Sequence, residues 1–215
     1  MYDKKSLNYF SNVRKDVINF LPEKIDRVLE VGCGTGETLS FIKSQHKNAT
    51  TVGIELTESA AALAANKVDF IKNIDIEKTN CATELGEFDL ILLLDVLEHL
   101  RDPWEVLKSL VKNNLSINGT VITSIPNARN HALLFNLFAG SFDYKSSGIL
   151  DKTHLRFFTK NGMFRMVEDA GLKIIKHKPT NLDGKSRSSL LNTITLGLAE
   201  EFLAVQYIIK SIKNN

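Results

Sequence analysis

Three glycines at alternate positions, Gly32, Gly34 and Gly36, follow the apolar run Val28, Leu29, Val31 in the stretch RVLEVGCGTGETLSFI at 27–42. A helical pattern, Leu39, Phe41 and Ile42, comes next. A strand that breaks into glycines before a helix makes a turn whose backbone can approach a ligand closely, because glycine reaches left-handed angles and carries no side chain. The spacing departs from the dinucleotide fingerprint G-x-G-x-x-G: the third position is Glu37, and Gly36 falls one residue early. A carboxylate at that helix entrance also opposes a diphosphate. The turn therefore suits a ligand without phosphates.

S-adenosylmethionine, an adenosine joined to an amino acid through a cationic sulfonium, is such a ligand. Glu55, with Leu56 beside it, stands about 20 residues past the glycines, the spacing of a ribose-binding acid. A carboxylate can accept both ribose hydroxyls. Further on, Asp75 could take an adenine amino group while the amide of Ile76 meets a ring nitrogen.

If such a ligand gives its methyl group to a hydroxyl, a base that removes the hydroxyl proton would help. His154, three residues after Asp151, is the first candidate, since an aspartate can orient an imidazole and raise its basicity. His99 is the second and His131 the third. Asp95, Glu98 and His99 offer a metal-holding alternative, because residues four apart share a helical face. That spacing is not a ligand signature by itself, and no metal is expected. Cys33 reads as a small residue that fits the turn rather than a nucleophile. Arg156 could meet an anionic group of the acceptor.

These residues need a framework. Strands are expected at Arg27–Val31, Thr51–Glu55, 68–72, 88–95, 120–125 and 172–177, alternating with helices at 37–44, 58–66, 103–113 and 159–170. Asp102-Pro103 reads as a cap and first turn. Residues 6–21 and 188–198 carry further helical patterns, with Leu191, Ile194 and Leu198 on one side of the second. The 126–158 stretch, rich in Phe and Tyr, breaks the rhythm and reads as an inserted cap within a single domain spanning 1–215. Strands alternating with helices imply a mostly parallel α/β sheet, doubly wound by the right-handed crossover rule.

The bulk numbers fit a soluble domain. The chain has 215 residues, 43% of them hydrophobic, and a formal net charge of +2, which gives no broad field for nucleic acid. Two cysteines without CxxC spacing point to a reducing cytoplasm. The first ten residues lack a leader's apolar core, and no run is long enough to span a membrane. A monomer or homodimer is expected.

The ordered set EVGCGTG (30–36), GIE (53–55), NIDIE (73–77), FDLILLLDVLEHLRDP (88–103) and NGTVITSIPN (118–127) resembles class I S-adenosylmethionine-dependent methyltransferases over about two thirds of the chain. The 95–99 turn and the first helix resemble ubiquinone-type O-methyltransferases. DKTHLRFFT (151–159) resembles methyltransferases found with bacterial surface-polysaccharide genes. The resemblance implies a Rossmann-like seven-stranded sheet of order 3-2-1-4-5-7-6 with strand 7 antiparallel, and it assigns AVQYIIKSIK (204–213) to that strand. It also implies that Gly32, Gly34 and Gly36 pass under the methionine end, that Glu30 orders the loop, and that Leu94 and Asp95 lie near the amino-acid moiety and sulfonium. Arg14 and Tyr9 would cover the cofactor. The expected activity is methyl transfer from S-adenosyl-L-methionine, leaving S-adenosyl-L-homocysteine, to an oxygen of a small or medium acceptor such as a saccharide. The rivals are a quinone or lipid-ring O-methyltransferase and a non-catalytic donor-binding module.

Overall fold

The computed structural model describes residues 11–78, 85–182 and 187–214. Its frame is a seven-stranded sheet in the order β3-β2-β1-β4-β5-β7-β6. The parallel part comprises β1 (Arg27–Val31), β2 (Thr50–Glu55), β3 (Phe70–Asn73), β4 (Phe88–Leu94) and β5 (Leu115–Pro126). β6 (Leu172–Pro179) closes the edge, and β7 (Gln206–Lys213) lies antiparallel between it and β5. The tail at 204–213 forms that strand because Tyr207, Ile208 and Ile209 have a core to enter: all three are buried.

Helices cover both faces: α1 (Glu37–Gln45), α2 (Glu58–Ala64), α3 (Pro103–Asn113), α4 (His131–Phe138), α5 (Lys160–Asp169), α6 (Arg187–Ile194) and α7 (Glu200–Leu203). β4 shows why its sequence is apolar throughout. Leu90, Leu92 and Leu94 pack with Leu39 and Ile42 of α1, while Ile91 and Leu93 pack with Leu107 of α3 and Met163 of α5. Alternate side chains point to opposite faces, and here neither face meets water. Asp102 caps α3, its side chain accepting from the Glu105 amide at 3.0 Å, with Pro103 in the first turn.

Four local expectations change. Of the 6–21 helix, the described part is a 3₁₀ turn, Lys15–Phe20, which buries Val17 and Phe20; Tyr9 lies outside the described residues. Arg14 stands before the turn as its N-cap, and its backbone amide bonds the Thr38 hydroxyl instead of a helix carbonyl. β3 starts at Phe70, since the Val68 amide still closes on Ala64 of α2. The Asn118-Gly119 turn lies within β5, where the β4–β5 register shifts. α6 stops at Ile194, because Leu196 (φ 52°) and Gly197 (φ 85°) turn left-handed and leave Leu196 and Leu198 exposed.

Candidate active site

A cavity of about 540 Å³ opens where the strand order reverses, at the carboxyl ends of β1 and β4. That volume falls within the roughly 300–1,000 Å³ typical of small-molecule sites. Its wall is built from residues 30–34 after β1, Glu55 and Leu56 after β2, 74–77 after β3 and 94–96 after β4. Asn12 and Arg14 come from the segment before β1, and Thr38, Ile54, Thr57, 99–101 and Leu155 complete the lining. Of the expected donor residues in the described chain, only Gly36 is not on this wall.

Gly32 is held at φ 69°, and its amide and that of Cys33 both donate to the Ile54 carbonyl, at 2.8 and 3.1 Å. A Cβ at Gly32 would stand 2.7 Å from Cγ2 of Val96, a stiff β-branched side chain. Gly32→Ala is expected to cost about 2–4 kcal/mol, combining left-handed strain with overpacking. Thermal unfolding of Gly32→Ala, Val96→Ala and the double variant checks this: the double loses less than the sum. Strict additivity would refute the contact.

Gly36 has a different task. It begins α1 at φ 82°, and a Cβ there would press Val68 Cγ1 at 3.1 Å and Ala64 Cβ at 3.3 Å. It packs between α1 and the end of α2 and does not line the cavity. Cys33 is structural as expected: its thiol fills the space left by Gly53, where a Cβ would come within 2.6 Å of Sγ. Burial, with Glu30 and Glu55 nearby, pushes that thiol up, away from the thiolate a nucleophile needs.

Glu55 is buried. Its Oε2 accepts from the Gly34 amide at 2.9 Å and its Oε1 from the Thr57 amide at 2.8 Å. The same carboxylate thus shapes the glycine turn and starts α2. Glu30 is also buried, and its Oε2 finds no hydrogen-bond partner among the described residues. Asp75 accepts from the Glu77 amide at 3.1 Å, and Ile76 packs on the core beside it.

Arg14 and Asp95 meet on the cavity wall. Arg14 forms an ion pair with Asp95, holds Asp16 through Nε at 3.1 Å and Nη2 at 2.9 Å, and donates from Nη2 to Ser124 Oγ at 2.8 Å. Burial works against its charge, but Asp95, Asp16 and Glu30 outweigh that and raise its pKa. Asp95 is a non-glycine residue at φ 59° and also accepts from Gln206. Strain of this kind collects at functional sites. Ser124 and Gln206 were not anticipated from sequence; a polar Gln206 entering an apolar strand was the one available signal.

The histidines are sorted by burial. His99 lies on the cavity wall, and its Nδ1 donates to the Thr153 carbonyl at 3.1 Å. His154 is buried off the wall, its Nδ1 on the Ile149 carbonyl at 2.8 Å and its ring edge-on to His99, with centroids 4.6 Å apart. A base must come within hydrogen-bond reach of the proton it removes; His99 stands on the cavity wall, whereas His154, the first candidate, lies one ring behind it. Asp151 is buried too, and its Oδ1 takes the Thr153 amide at 3.0 Å and hydroxyl at 2.8 Å. His131 is exposed, with Nδ1 on the Phe202 carbonyl at 3.0 Å, and Arg156 donates to the Arg101 carbonyl. Neither lines the cavity.

The residues present fit a sulfonium nucleoside: acid at the ribose position, a glycine turn beneath, and a buried Glu30 oxygen with capacity to accept. Comparison with known proteins gives the same answer. A family model described as a methyltransferase domain matches residues 7–177. The ubiquinone biosynthesis O-methyltransferase of Dechloromonas aromatica is 27% identical over 196 residues, covering 87% of this chain and 78% of its own. The trans-aconitate 2-methyltransferase of Deinococcus radiodurans is 28% identical over 151 residues, 69% of this chain and 55% of its own. The crystal structure of a SAM-dependent methyltransferase from Archaeoglobus fulgidus shares the fold at a TM-score of 0.65 and 17% identity, covering 98% and 96% of the two chains. The plantazolicin methyltransferase BpumL, solved with S-adenosylhomocysteine, does so at a TM-score of 0.62 and 18% identity, covering 97% and 81%. The chain belongs to the class I S-adenosylmethionine-dependent methyltransferases.

Proposed function

We propose that this methyltransferase acts on an oxygen of a small or medium acceptor, a saccharide or related surface-polysaccharide precursor. The observation that carries the reading is one continuous cavity wall, with the Glu55 and glycine-turn end joined to His99. The bound donor supplies a methyl group already activated on sulfur, so the protein's main contribution is alignment. In this reading Gly32 and Gly34 support the donor's methionine end, and Glu55 takes the ribose hydroxyls. Asp75 and the Ile76 amide read the adenine, while Leu94, Asp95 and Arg14 hold the amino-acid end. His99, Arg101 and Leu155 stand on the acceptor side, and the 126–158 segment is the cap that brings Leu155 there.

The saccharide assignment draws on the DKTHLRFFT resemblance. A second reading, a quinol or other lipid ring, draws on the names of the ubiquinone relatives and on exposed apolar side chains in the cap, Phe135 and Phe138 among them. Among the described residues no helix is long and apolar enough to cross a membrane. The test is methyl-labelled donor offered with nucleotide-activated sugars and with catechol-type phenols. Label on a sugar hydroxyl, at least about tenfold above the phenols (roughly 1.4 kcal/mol of discrimination), is expected. Preferential phenol labelling selects the second reading, and label on nitrogen alone removes both.

A further inference from the structure

Glu98 does not line the cavity, yet it is 1% exposed and, among the described residues, neither carboxylate oxygen has a hydrogen-bond partner. An ionised carboxylate so placed is strongly unfavourable unless a cation meets it. Two imidazoles face it. One ligand-capable atom from each of Glu98, His99 and His154 lies within 4.8 Å of the others, and His154 Nε2 is 4.0 Å from Glu98 Oε1.

The ring tautomers agree with this grouping. Each Nδ1 meets a backbone carbonyl, Thr153 for His99 and Ile149 for His154. A carbonyl can only accept, so each Nδ1 carries the proton and each Nε2 the lone pair. Metal-bound imidazoles are fixed in this way, with the second nitrogen donating to a carbonyl or carboxylate. The backbone reinforces the arrangement: the Glu98 carbonyl accepts from the amides of Leu155 at 2.8 Å and Arg156 at 3.0 Å.

We propose that Glu98, His99 and His154 bind a divalent first-row transition metal ion of the zinc type through two Nε2 atoms and one carboxylate. Magnesium and calcium prefer all-oxygen shells, whereas two imidazoles with a carboxylate suit zinc, cobalt or ferrous iron. Tetrahedral donors about 2.1 Å from zinc lie about 3.4 Å apart, so the cluster closes by about an ångström on binding. Asp95 is not a ligand, because Arg14, Ser124 and Gln206 already engage it. The ion neutralises Glu98 and fastens the 149–156 segment to the turn after β4. The site does not depend on which acceptor is methylated.

The test is cobalt(II) titration of chelator-treated protein, followed by visible absorption, with zinc binding followed by calorimetry and thermal unfolding. One equivalent is expected, with a tetrahedral cobalt spectrum, a raised Tm and no competition from magnesium. Glu98→Gln and His154→Ala should each lose more than the roughly 10–100-fold in affinity that loss of an outer partner costs, while Asp95→Asn titrates like the parent. Cooperative unfolding and S-adenosylhomocysteine binding by the Glu98 and His154 variants show that the fold and donor site survive. Absence of both cobalt spectrum and zinc heat in the parent overturns the site and leaves His99 Nε2 to accept a substrate proton. Full affinity in His154→Ala, or equal loss in Asp95→Asn, also overturns it.

Discussion

Glu55→Ala is expected to lower affinity for S-adenosylhomocysteine at least about 100-fold and to lower the stability of the free protein as well. The carboxylate has about four acceptor positions. The Gly34 and Thr57 amides use one on each oxygen, at 2.9 and 2.8 Å, and one on each remains for the two ribose hydroxyls. Truncation removes both functions together. Two buried amides lose their acceptor, at about 1–3 kcal/mol each, so unfolding becomes easier by about 2–6 kcal/mol. The affinity loss follows from two charge-assisted bonds to the ribose at about 1.5–3 kcal/mol each. Glu55→Gln separates the two roles. Its single carbonyl oxygen can serve one amide, while its NH₂ faces the other donor. Tm should therefore fall in the order parent, Gln, Ala, with binding following. Calorimetry with S-adenosylhomocysteine and thermal unfolding read both effects. A glutamine variant that binds like the parent would mean the ribose is held elsewhere.

Glu55 was legible in sequence because its partners are local to the strand ends: strand, glycine turn, strand and acid recur at a spacing that the parallel sheet enforces. β4 was legible for the same reason, since alternate side chains of an unbroken apolar run must fill two faces. The order 3-2-1-4-5-7-6 came from family resemblance, because periodicity cannot say which strands are neighbours. What the chain hides are contacts between distant positions. Asp95 meets Arg14, 81 residues away, and Gln206, 111 residues away. His154 shows another limit of local reading. Its closeness to Asp151 in sequence suggested a base with its orienting acid, but closeness along the chain does not determine burial, and the buried ring also stands 4.0 Å from Glu98. Gly36 shares the spacing of Gly32 and Gly34, yet its position at the start of α1 gives it a packing role that spacing alone cannot distinguish.

Glu30→Gln is expected to stabilise the protein, and to do so only as pH rises. Glu30 is buried, and its Oε2 lacks a hydrogen-bond partner among the described residues. Burial drives its pKa upward; the Arg14 guanidinium opposes this, nearby Glu55 adds to it, and the result is pushed up to about 8 from 4.5. The folded protein therefore keeps a proton that the unfolded chain releases. Below about pH 4.5 the carboxyl is neutral in both states and the group costs nothing. Between about 4.5 and 8 the unfolded chain ionises first, so stability falls as pH rises, and the loss is complete once the folded carboxyl has ionised too. A shift of about 3.5 units at about 1.4 kcal/mol each sets a ceiling near 5 kcal/mol, and an effect on the order of a few kcal/mol is expected. Glutamine keeps the shape and removes the ionisation. The two proteins should melt together near pH 4.5, while near pH 8.5 the variant should melt about 5–10 °C higher. A cationic donor reverses the preference: its positive charge favours the ionised Glu30, so the variant should gain stability and lose affinity for S-adenosylmethionine. Unfolding curves for both proteins across this pH range decide the matter. A Tm difference that stays flat with pH, or a variant less stable at pH 8.5, would show that Glu30 is ionised and well solvated in the folded state.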